Sequence, residues 1–497
     1  MDPVRVRFAP SPTGRIHLGG ARTALYNYLL ACQTGGRFIL RIEDTDQKRY
    51  DPRAEKELID SLHWLGINWD EGPGVGGPHG PYYQTQRKDI YREYARQLIE
   101  AGHAYYCFCT PERLEQVRKE QKKRKENPHY DGLCRRLDTG EAQKRISAGE
   151  RHVVRFKIPE TGSITAHDLI RGDITTKTTA VDDHVIVRSD GLALYHLAAM
   201  VDDHLMGITH VIRGAEWLST FQLHVLIVRA FGWQEPKWVH LSVFLKPTGQ
   251  GPGKISKRDS SQAITEGHSV FIKDLQELGY IPEGVDNWMA LMGWSYDDRT
   301  EFFTMQDLIE KFSLEHLNPA PAAINFTKLD YFNGLHIRHL SQVDLAHRLA
   351  PFITNAGYQL DEDKLYRAIP IIRERLVTLD DVIPVAGFLF KEDVTPDPSR
   401  LVAARLTPAE SANIARKAYQ ILASLPQISK DLAEPSIRNF AEESGLKAGQ
   451  VLGLLREAVT GQRDSPPLFE SMEIIGKSKV LERLKAAVEV LEKMPGT

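Results

Sequence analysis

Residues 9–20 of the chain, "APSPTGRIHLGG", bring two prolines, a histidine and a glycine pair directly after a strand-like "RVRF". The prolines fix the backbone φ and stiffen the turn, and we expect His17 at the start of the helix that follows. Gly19 and Gly20 lack side chains, so a flat ring can approach the first helical turn closely. Backbone N–H groups at a helix start favour negative charge such as phosphate. The stretch predicts a site for a ring and a phosphate, with a tight turn and an incidental histidine as the alternative.

A second segment, "KISKR" at residues 254–258, follows the glycine-rich "TGQGPG". Lys254, Lys257 and Arg258 place three cations on one loop, which suits a reaction that builds negative charge on phosphate oxygens. A solvated basic loop is the alternative. Neither segment decides the matter alone, but the two together, in this order, favour chemistry on a phosphate.

Two other glycine-rich stretches do not fit nucleotide-binding motifs. Residues 72–77, "GPGVGG", satisfy G-x-G-x-x-G, but Pro73 and Pro78 interrupt them, so they predict a surface turn. The stretch "GQGPGK" resembles a P-loop, but Ile255 stands where serine or threonine should follow the lysine. The first stretch therefore favours a surface turn over a dinucleotide fingerprint, and the second is not a P-loop.

The elements that must position these residues alternate between strand and helix in the first half of the chain. "RVRF" and "RFILRI" are typical of strands, and "ARTALYNYLLA" between them has helical apolar spacing. This order predicts a parallel sheet with ligands at the carboxyl ends of its strands. Shorter strands after about residue 107 indicate an insertion, and the pattern becomes helical after about residue 341. The predicted fold class is an α/β doubly wound, Rossmann-like domain with an α+β insertion, followed by an all-α C-terminal half.

The length, net charge and composition of the chain exclude several classes of protein. The chain has 497 residues, a formal net charge of −3 and 42% hydrophobic residues, which predicts several globular domains. No run approaches the roughly 18 apolar residues that span a bilayer, and the amino terminus lacks an apolar segment typical of a signal peptide. Four cysteines make no disulfide framework. We expect a cytoplasmic protein without a membrane partner.

The two segments together resemble the signatures of class I aminoacyl-tRNA synthetases, present here as "HLGG" and "KISKR". Gly20, in place of the second histidine of the first signature, is typical of the glutamate and glutamine branch. Longer strings are similar to bacterial glutamyl-tRNA synthetases: "RFAPSPTGRIHLGGARTALYNYLLA", "GRFILRIEDTD", "DEGPGVGGPHGPYYQTQR" and "YHLAAMVDDHLMGITHVIRGAEWL". The resemblance extends from about residue 5 to the end of the chain and is densest before residue 260.

The resemblance implies a ligation in two steps. Glutamate attacks the α-phosphate of ATP, which is bound with Mg²⁺, and gives glutamyl-adenylate and pyrophosphate; a ribose hydroxyl at the tRNA 3′ end then takes the glutamyl group. Such chemistry depends on positioning and charge stabilisation. The implied catalytic residues are His17, Lys254 and Lys257. The implied ATP-binding residues are His17, Gly19, Gly20, Glu216, Trp217, Lys257 and Arg258.

The resemblance also implies a glutamate pocket, in which arginine side chains pair with carboxylates. We expect Arg213 to be the main partner of the γ-carboxylate and Glu43 to accept the ammonium. The implied glutamate-binding residues are Arg7, Ala9, Ser11, Glu43, Tyr195 and Arg213.

Two positions depart from the family pattern. Ala199 replaces an asparagine of some relatives, which puts one polar contact to the substrate in doubt. Ala215 stands where an acidic residue is usual, which leaves the support of Arg213 open. Most charges outside the pocket are expected to form ordinary surface pairs, such as Arg41 with Asp44.

Three of the four cysteines lie close together within the predicted insertion. Some members of the family bind structural zinc there, and zinc takes four ligands with a preference for thiolates. The implied ligands are Cys107, Cys109, Tyr130 and Cys134. His129 is the alternative fourth ligand, and a metal-free knuckle is the alternative to zinc. The fourth cysteine, Cys32, lies on a predicted helix and is expected to be a buried small apolar residue.

The partner that the resemblance implies is tRNA(Glu), with tRNA(Gln) as an open alternative, and we expect a monomer. The basic run at residues 119–125 is a candidate for contact with the acceptor arm or an ordinary solvated helix face. Arg375 matches an arginine that reads the last anticodon base in some relatives. The implied domains are the first catalytic half (1–100), the acceptor-arm insertion (101–194), the second catalytic half (195–250), the lysine-motif and stem-contact region (251–328) and two helical anticodon-binding domains (329–392 and 393–497).

Three rival functions share part of this pattern. A glutaminyl-tRNA synthetase is disfavoured by the helical second half and by Arg213. A tRNA-modifying glutamyl transferase lacks the anticodon region, so the length of the chain argues against it. Intact His17, Lys254 and Lys257 argue against a non-catalytic tRNA-binding relative.

Overall fold

A computed structural model describes residues 3–246 and 268–495 of the protein. These residues fall into two compact units, one within Met1–Leu275 and Val285–Phe326, the other within Gln276–Gly284 and Thr327–Thr497. The "KISKR" and "GQGPGK" segments lie outside the described residues. The finer domain boundaries expected from the sequence stay predictions.

The first unit contains the strands, and the second is helical. The strands are β1 (Arg5–Phe8), β2 (Arg37–Leu40), β3 (Ala104–Cys107), β4 (Val153–Phe156), β5 (Ser163–Asp168), β6 (Gly172–Lys177), β7 (Val185–Val187), β8 (His210–Gly214), β9 (Lys237–Leu241), β10 (Phe244–Leu245) and β11 (Ala322–Ala323). The described α-helices up to residue 311 are α1 (Leu18–Thr34), α2 (Pro52–Trp64), α3 (Lys88–Glu100), α4 (Pro111–Lys123), α5 (Thr139–Ser147), α6 (Tyr195–Leu205), α7 (Phe221–Ala230), α8 (Ile272–Glu277), α9 (Pro282–Leu291) and α10 (Met305–Lys311).

Two β–α–β units carry the parallel strands that the sequence predicts. Strands β1 and β2 pair in parallel and are connected by α1, and β8 and β9 pair in parallel and are connected by α7. The α1 helix ends at Gly35, whose φ of 61° is the left-handed conformation that favours glycine as a helix stop. The alternation of strands and helices in the sequence therefore predicts the parallel pairing of these strands.

Strands from the predicted insertion contribute to two different sheets. Strands β3, β4 and β7 form an antiparallel sheet of their own. Strand β5 pairs antiparallel with β6, but its last residue, Asp168, pairs in parallel with Trp238 of β9. The sheet order β6–β5–β9–β8 thereby links insertion residues to the strand that carries Arg213.

The second unit is built around one apolar core to which its helices contribute. Its α-helices, with α11 shared with the first unit, are α11 (Phe326–His339), α12 (Gln342–Asn355), α13 (Glu362–Ile372), α14 (Val382–Ala386), α15 (Pro398–Leu401), α16 (Pro408–Ser424), α17 (Lys430–Glu443), α18 (Ala448–Thr460), α19 (Leu468–Ile475) and α20 (Lys477–Glu492). Leu349, Ile369 and Leu484 are among the fully buried residues of this core. Thr407 and Glu410 form a capping box at the start of α16.

Two expectations about individual residues are wrong. Cys32 lies on α1 but is exposed rather than buried, because the buried surface of this helix ends at Ala31, one residue before it. Arg41 forms no surface pair with Asp44. It directly follows β2, its side chain is 0% exposed, and it donates to Asp203, whereas Asp44 accepts from Thr85.

Two other sequence predictions concern turns and membranes. Residues 72–77 form a turn with positive φ at Gly74 and Gly76, as predicted. Within residues 3–246 and 268–495, no helix combines the length and the apolar composition that crossing a membrane requires.

Candidate active site

A cavity of about 440 Å³ lies in the first unit, at the start of α1 and the ends of β1 and β8. A cleft of this size suits small molecules. It is lined by each ATP- or glutamate-binding residue predicted above that the structure describes: Arg7, Ala9, Ser11, His17, Gly19, Gly20, Glu43, Tyr195, Arg213, Glu216 and Trp217. Lys254, Lys257 and Arg258 lie outside the described residues. Segments about two hundred residues apart in sequence thus meet at one cleft.

His17 is the N-cap residue of α1. Its Nδ1 accepts a hydrogen bond from the Gly19 backbone N–H at 3.0 Å, so the neutral ring carries its proton on Nε2. The same ring explains the glycine at position 19, because a Cβ there would lie 2.9 Å from His17 Cε1. The helix start combines a histidine donor with the backbone N–H groups of its first turn, an arrangement suited to phosphate.

Arg213, near the end of β8, is a buried cation with unsatisfied donors. Its Nε donates to His240 Nε2 at 3.0 Å, but neither terminal nitrogen has a hydrogen-bond partner among the described residues. Burial lowers the pKa of Arg213, and its interaction with the Tyr195 hydroxyl raises it in part. An unpaired buried guanidinium is costly, and a ligand carboxylate with two acceptor oxygens satisfies both nitrogens at once.

Arg7, the other arginine at the cavity, is already engaged. Its Nε and one terminal nitrogen donate to the Asp203 carboxylate at 3.0 and 3.3 Å, and the remaining nitrogen lies 3.4 Å from the Ile212 carbonyl oxygen. Asp203 also accepts from Arg41 at 2.7 Å. Arg213 is therefore the arginine with more donors to offer a ligand.

Glu43 supplies negative charge to the same cavity. Its carboxylate accepts a hydrogen bond from Arg41 at 3.1 Å. Burial raises the pKa of Glu43 to about 7, although Arg41 and Arg7 pull in the opposite direction. An ammonium group placed beside this carboxylate favours its ionised form, so the residue suits a cationic ligand group.

An aromatic pair forms part of the cavity lining. The rings of Tyr195 and Trp217 stack with centroids 4.1 Å apart and planes inclined by 26°. Tyr195 is the first residue of α6, and Trp217 lies with Glu216 in the short 3₁₀ turn Ala215–Thr220 that follows β8. Burial raises the pKa of Tyr195 to about 12, so its hydroxyl is neutral and can donate.

Four residues around this cavity were not found by sequence reasoning. Arg41 and Asp203 hold Glu43 and Arg7 in place, and His240 and Asp168 support Arg213. The paired aspartates of "YHLAAMVDDHLMG" were a signal for Asp203, since adjacent acids on an otherwise apolar helix are rarely buried unless they are paired. Nothing local distinguishes His240 and Asp168 from ordinary strand residues.

The cysteine group of the predicted insertion has the geometry of a metal site. The sulfur atoms of Cys107, Cys109 and Cys134 all lie within 4.8 Å of one another. The Tyr130 hydroxyl lies 3.4 Å from Cys107 Sγ and 3.5 Å from Cys109 Sγ. His129 is exposed, and its Nδ1 lies 3.0 Å from the Asn127 carbonyl oxygen. Three thiols, the ligand type that zinc prefers, therefore converge with one phenol oxygen, and of the two candidates for a fourth ligand it is Tyr130 that lies beside the sulfurs.

The residues predicted to contact tRNA lie on surfaces. The basic run begins on α4, where Lys119 forms an ion pair with Glu115 at 2.8 Å. Arg375 ends the 3₁₀ turn Arg373–Arg375 in the second unit. Its side chain is 39% exposed and pairs with the exposed Asp464 at 3.1 Å, an interaction of little energetic weight that a polyanion can displace.

Comparison with known proteins identifies the family. The family model for the catalytic domain of class I tRNA synthetases (E and Q) matches residues 3–331, and an anticodon binding domain matches residues 344–488. The chain is 45% identical over 494 residues to a glutamate–tRNA ligase of Borreliella burgdorferi, covering 98% of this chain and 99% of that one. It is 42% identical over 497 residues to one of Dehalococcoides mccartyi, covering 99% of both.

A solved structure has the same architecture over the whole chain. The crystal structure of a glutamate tRNA ligase from Elizabethkingia meningosepticum, in complex with its amino acid, superimposes with a TM-score of 0.90 at 36% identity, covering 99% of this chain and 100% of that one. The predicted fold class, an α/β catalytic region followed by a helical half, is thereby confirmed.

The parallel strands, the cleft at the start of α1 and the matched catalytic domain define a class I aminoacyl-tRNA synthetase of the glutamate and glutamine group. The full-length relatives narrow this class, and the chain belongs to the glutamate–tRNA ligase family. It is an enzyme that ligates glutamate to tRNA with ATP, as the sequence predicts.

Proposed function

We propose that the 440 Å³ cavity holds ATP and glutamate side by side and forms glutamyl-adenylate before transfer to tRNA. The observation that carries this assignment is Arg213, a buried guanidinium whose two terminal nitrogens lack partners among the described residues. His17, with a donor at the start of α1, lines the same cavity. One ligand carboxylate and one phosphate can therefore be held together.

For glutamate, Arg213 binds the γ-carboxylate and Glu43 the ammonium, while Arg7 supports the pocket through its positive charge. Ser11, the Ala9 backbone and Tyr195 complete the lining. The γ-carboxylate of the ligand meets Arg213 and its ammonium meets Glu43, so each of these two ligand charges faces an opposite charge on the protein.

For ATP, the ring lies against Gly19 and Gly20, and His17 donates from Nε2 to a phosphate oxygen. Glu216 and Trp217 line the ATP side. Lys254, Lys257 and Arg258 are proposed, from the sequence, to stabilise the charge that develops on the phosphates. Magnesium enters with ATP and neutralises part of its phosphate charge.

Charging assays test this function. Purified tRNA(Glu) and tRNA(Gln) are offered separately with glutamate and with glutamine, and exchange of pyrophosphate into ATP is followed in parallel. We expect glutamate-dependent charging of tRNA(Glu); charging of tRNA(Gln) in addition identifies a non-discriminating enzyme. Lys257→Ala is expected to lose exchange while tRNA binding is kept. Exchange that does not require glutamate contradicts the proposal.

The pH dependence of glutamate use follows from Glu43. Because burial raises its pKa to about 7, the side chain is largely protonated below that pH and cannot pair with the ammonium. We expect the KM for glutamate to fall as pH rises through about 7, and Glu43→Gln to raise KM and remove the dependence. The measurement is KM for glutamate at saturating ATP and tRNA across this range, with KM for ATP as the control. If the KM for glutamate does not change with pH in the unmodified enzyme, Glu43 is not the partner of the ammonium.

We propose structural zinc on Cys107, Cys109, Tyr130 and Cys134. The hydrogen bond between Cys107 and Cys134 lowers the pKa of Cys107 and raises the pKa of Cys134, so these two sulfurs share one proton until a cation replaces it. A zinc ion held by these residues would link β3 to the segment that contains Tyr130 and Cys134, a structural role without a part in the ligation.

Zinc content tests this site. Protein purified without chelators is expected to hold about one zinc per chain, and Tyr130→Phe to release it to a chelator about 10- to 100-fold more readily. Phenylalanine keeps the ring that packs against Arg155, whose guanidinium lies 4.0 Å from the ring centroid. His129→Ala is the matched control and should behave as the unmodified protein. Metal-free protein, or equal loss in both variants, refutes the assignment.

The remaining proposals concern the contacts with tRNA, the cellular location and the oligomeric state. Arg375 is proposed to read the last anticodon base, and residues 119–125 to meet the acceptor arm, since both are accessible to a polyanion. A cytoplasmic monomer is proposed from the sequence.

A further inference from the structure

Two buried side chains, His240 and Asp168, support Arg213 through consecutive hydrogen bonds and are here termed the relay. The Nε of Arg213 donates to His240 Nε2 at 3.0 Å, and His240 Nδ1 lies 2.7 Å from Asp168 Oδ2. Both His240 and Asp168 are 0% exposed, and neither lines the cavity. We propose that His240 and Asp168 are positioning residues that fix the Arg213 guanidinium and thereby set the preference for a carboxylate over an amide. This inference rests on the proposed role of Arg213 in binding the γ-carboxylate.

The hydrogen bonds permit only one tautomer of His240. A guanidinium nitrogen always donates, so His240 Nε2 must accept, and the ring proton must lie on Nδ1, where the Asp168 carboxylate accepts it. Burial lowers the pKa of His240 to about 4, so the ring is neutral near neutral pH. Arg213 therefore donates to His240, and His240 donates to Asp168.

Asp168 is itself held by the backbone. Its Oδ1 accepts from the N–H groups of Ile170 and Arg171 at 3.1 and 3.0 Å, and its Oδ2 also accepts from the His240 N–H at 2.9 Å. It lies where β5 pairs with β9. Trp238 lies on β9 with His240. The centre of its ring lies 5.4 Å from the Arg213 guanidinium. The relay thus connects the arginine to two paired strands rather than to a loop.

Fixing Nε fixes the plane and direction of the whole guanidinium, because this group is rigid and planar. The two terminal nitrogens, which lack partners among the described residues, then offer donors in a fixed arrangement. A carboxylate supplies an acceptor to each, whereas the amide of glutamine supplies one acceptor and sets its own N–H₂ against the second donor. A guanidinium free to rotate could turn away from that conflict, so the relay contributes to rejecting glutamine.

The relay also bears on Ala215, the uncharged residue that directly follows β8. In this chain the carboxylate that supports Arg213 comes from Asp168, through His240, on neighbouring strands of the sheet. Support for the arginine therefore does not depend on position 215.

Two matched substitutions of His240 separate positioning from packing. His240→Gln can place a carbonyl oxygen near the former Nε2 and still accept from Arg213, whereas His240→Asn reaches only Asp168. For His240→Asn we expect the KM for glutamate to rise about 10- to 100-fold and the preference for glutamate over glutamine to fall by a similar factor. The KM for ATP should stay within about twofold of that of the unmodified enzyme, and His240→Gln should retain most of the preference.

The inference is overturned if His240→Asn leaves both the glutamate KM and the glutamate preference unchanged, or if His240→Gln is equally impaired. Arg213→Ala distinguishes this failure from a failure of the proposed function. If that variant uses glutamate normally, the carboxylate assignment is wrong; if it fails while His240→Asn does not, only the positioning role is wrong. Should the His240 variants not fold, neutron diffraction of the unmodified enzyme decides, since a hydrogen on His240 Nε2 rather than Nδ1 contradicts the relay.

Discussion

Replacing Arg213 with alanine is expected to lower kcat/KM for glutamate about 100- to 1,000-fold, because the γ-carboxylate then loses two charge-assisted hydrogen bonds inside a buried site. The loss should be specific to the amino acid, since ATP is proposed to lie beside glutamate, against Gly19, Gly20 and His17. The measurement is steady-state aminoacylation of tRNA(Glu) with glutamate, and then ATP, as the varied substrate.

Arg229→Ala provides the control for this prediction. Arg229 belongs to the same unit, and its side chain is 44% exposed and pairs with Glu235 at 2.7 Å, but it does not line the cavity. Its loss should leave both KM values unchanged. An Arg213→Ala enzyme with an unaltered glutamate KM would place the carboxylate elsewhere, and Arg7 would be the next residue to test.

Replacing His17 with asparagine is expected to lower kcat about 100-fold, the effect usual for losing one donor to a developing charge. Asparagine is a good N-cap residue, so its side-chain oxygen can replace Nδ1 in the hydrogen bond with the Gly19 N–H. The substitution therefore removes the Nε2 donor but keeps the start of α1.

His17→Ala gives the comparison that separates the two roles of this residue. It removes the cap as well as the donor, so we expect a similar loss of rate together with a lower thermal unfolding midpoint. Single-turnover formation of glutamyl-adenylate and thermal unfolding are measured on both variants. If His17→Asn keeps its full rate, the histidine only caps the helix.

The sequence was sufficient to predict the parts of the site that lie in recognisable local patterns. His17, Gly19 and Gly20 sit together in one turn, and their order after a strand already implies a helix start. Arg213 and Glu43 were found only through resemblance to a family, because nothing in their neighbouring residues sets them apart. Their convergence on one cavity required the folded chain.

The supporting residues could not be predicted, because their partners are distant in sequence. His240 and Asp168 are 72 positions apart and meet only because β5 pairs with β9. The sequence predicts a surface pair for Arg41, since a nearby acid is the simplest partner for an arginine, but the fold buries Arg41 against Asp203. Cys32 shows the same limit, because helical periodicity does not tell where the burial of a helix stops.

The pairing of β5 with β9 bears on how freely the inserted region can be exchanged. An insertion that contacted only RNA could be exchanged between related enzymes without any effect on the amino-acid site. Here Asp168 of that region also contacts His240, which supports Arg213, so a chimera joined at the predicted boundaries, residues 101 and 194, would take its residue 168 from the other enzyme. The proposed relay therefore predicts that recombination which separates Asp168 from its native strand neighbours alters the choice of amino acid, even where only the region proposed to meet the acceptor arm was exchanged.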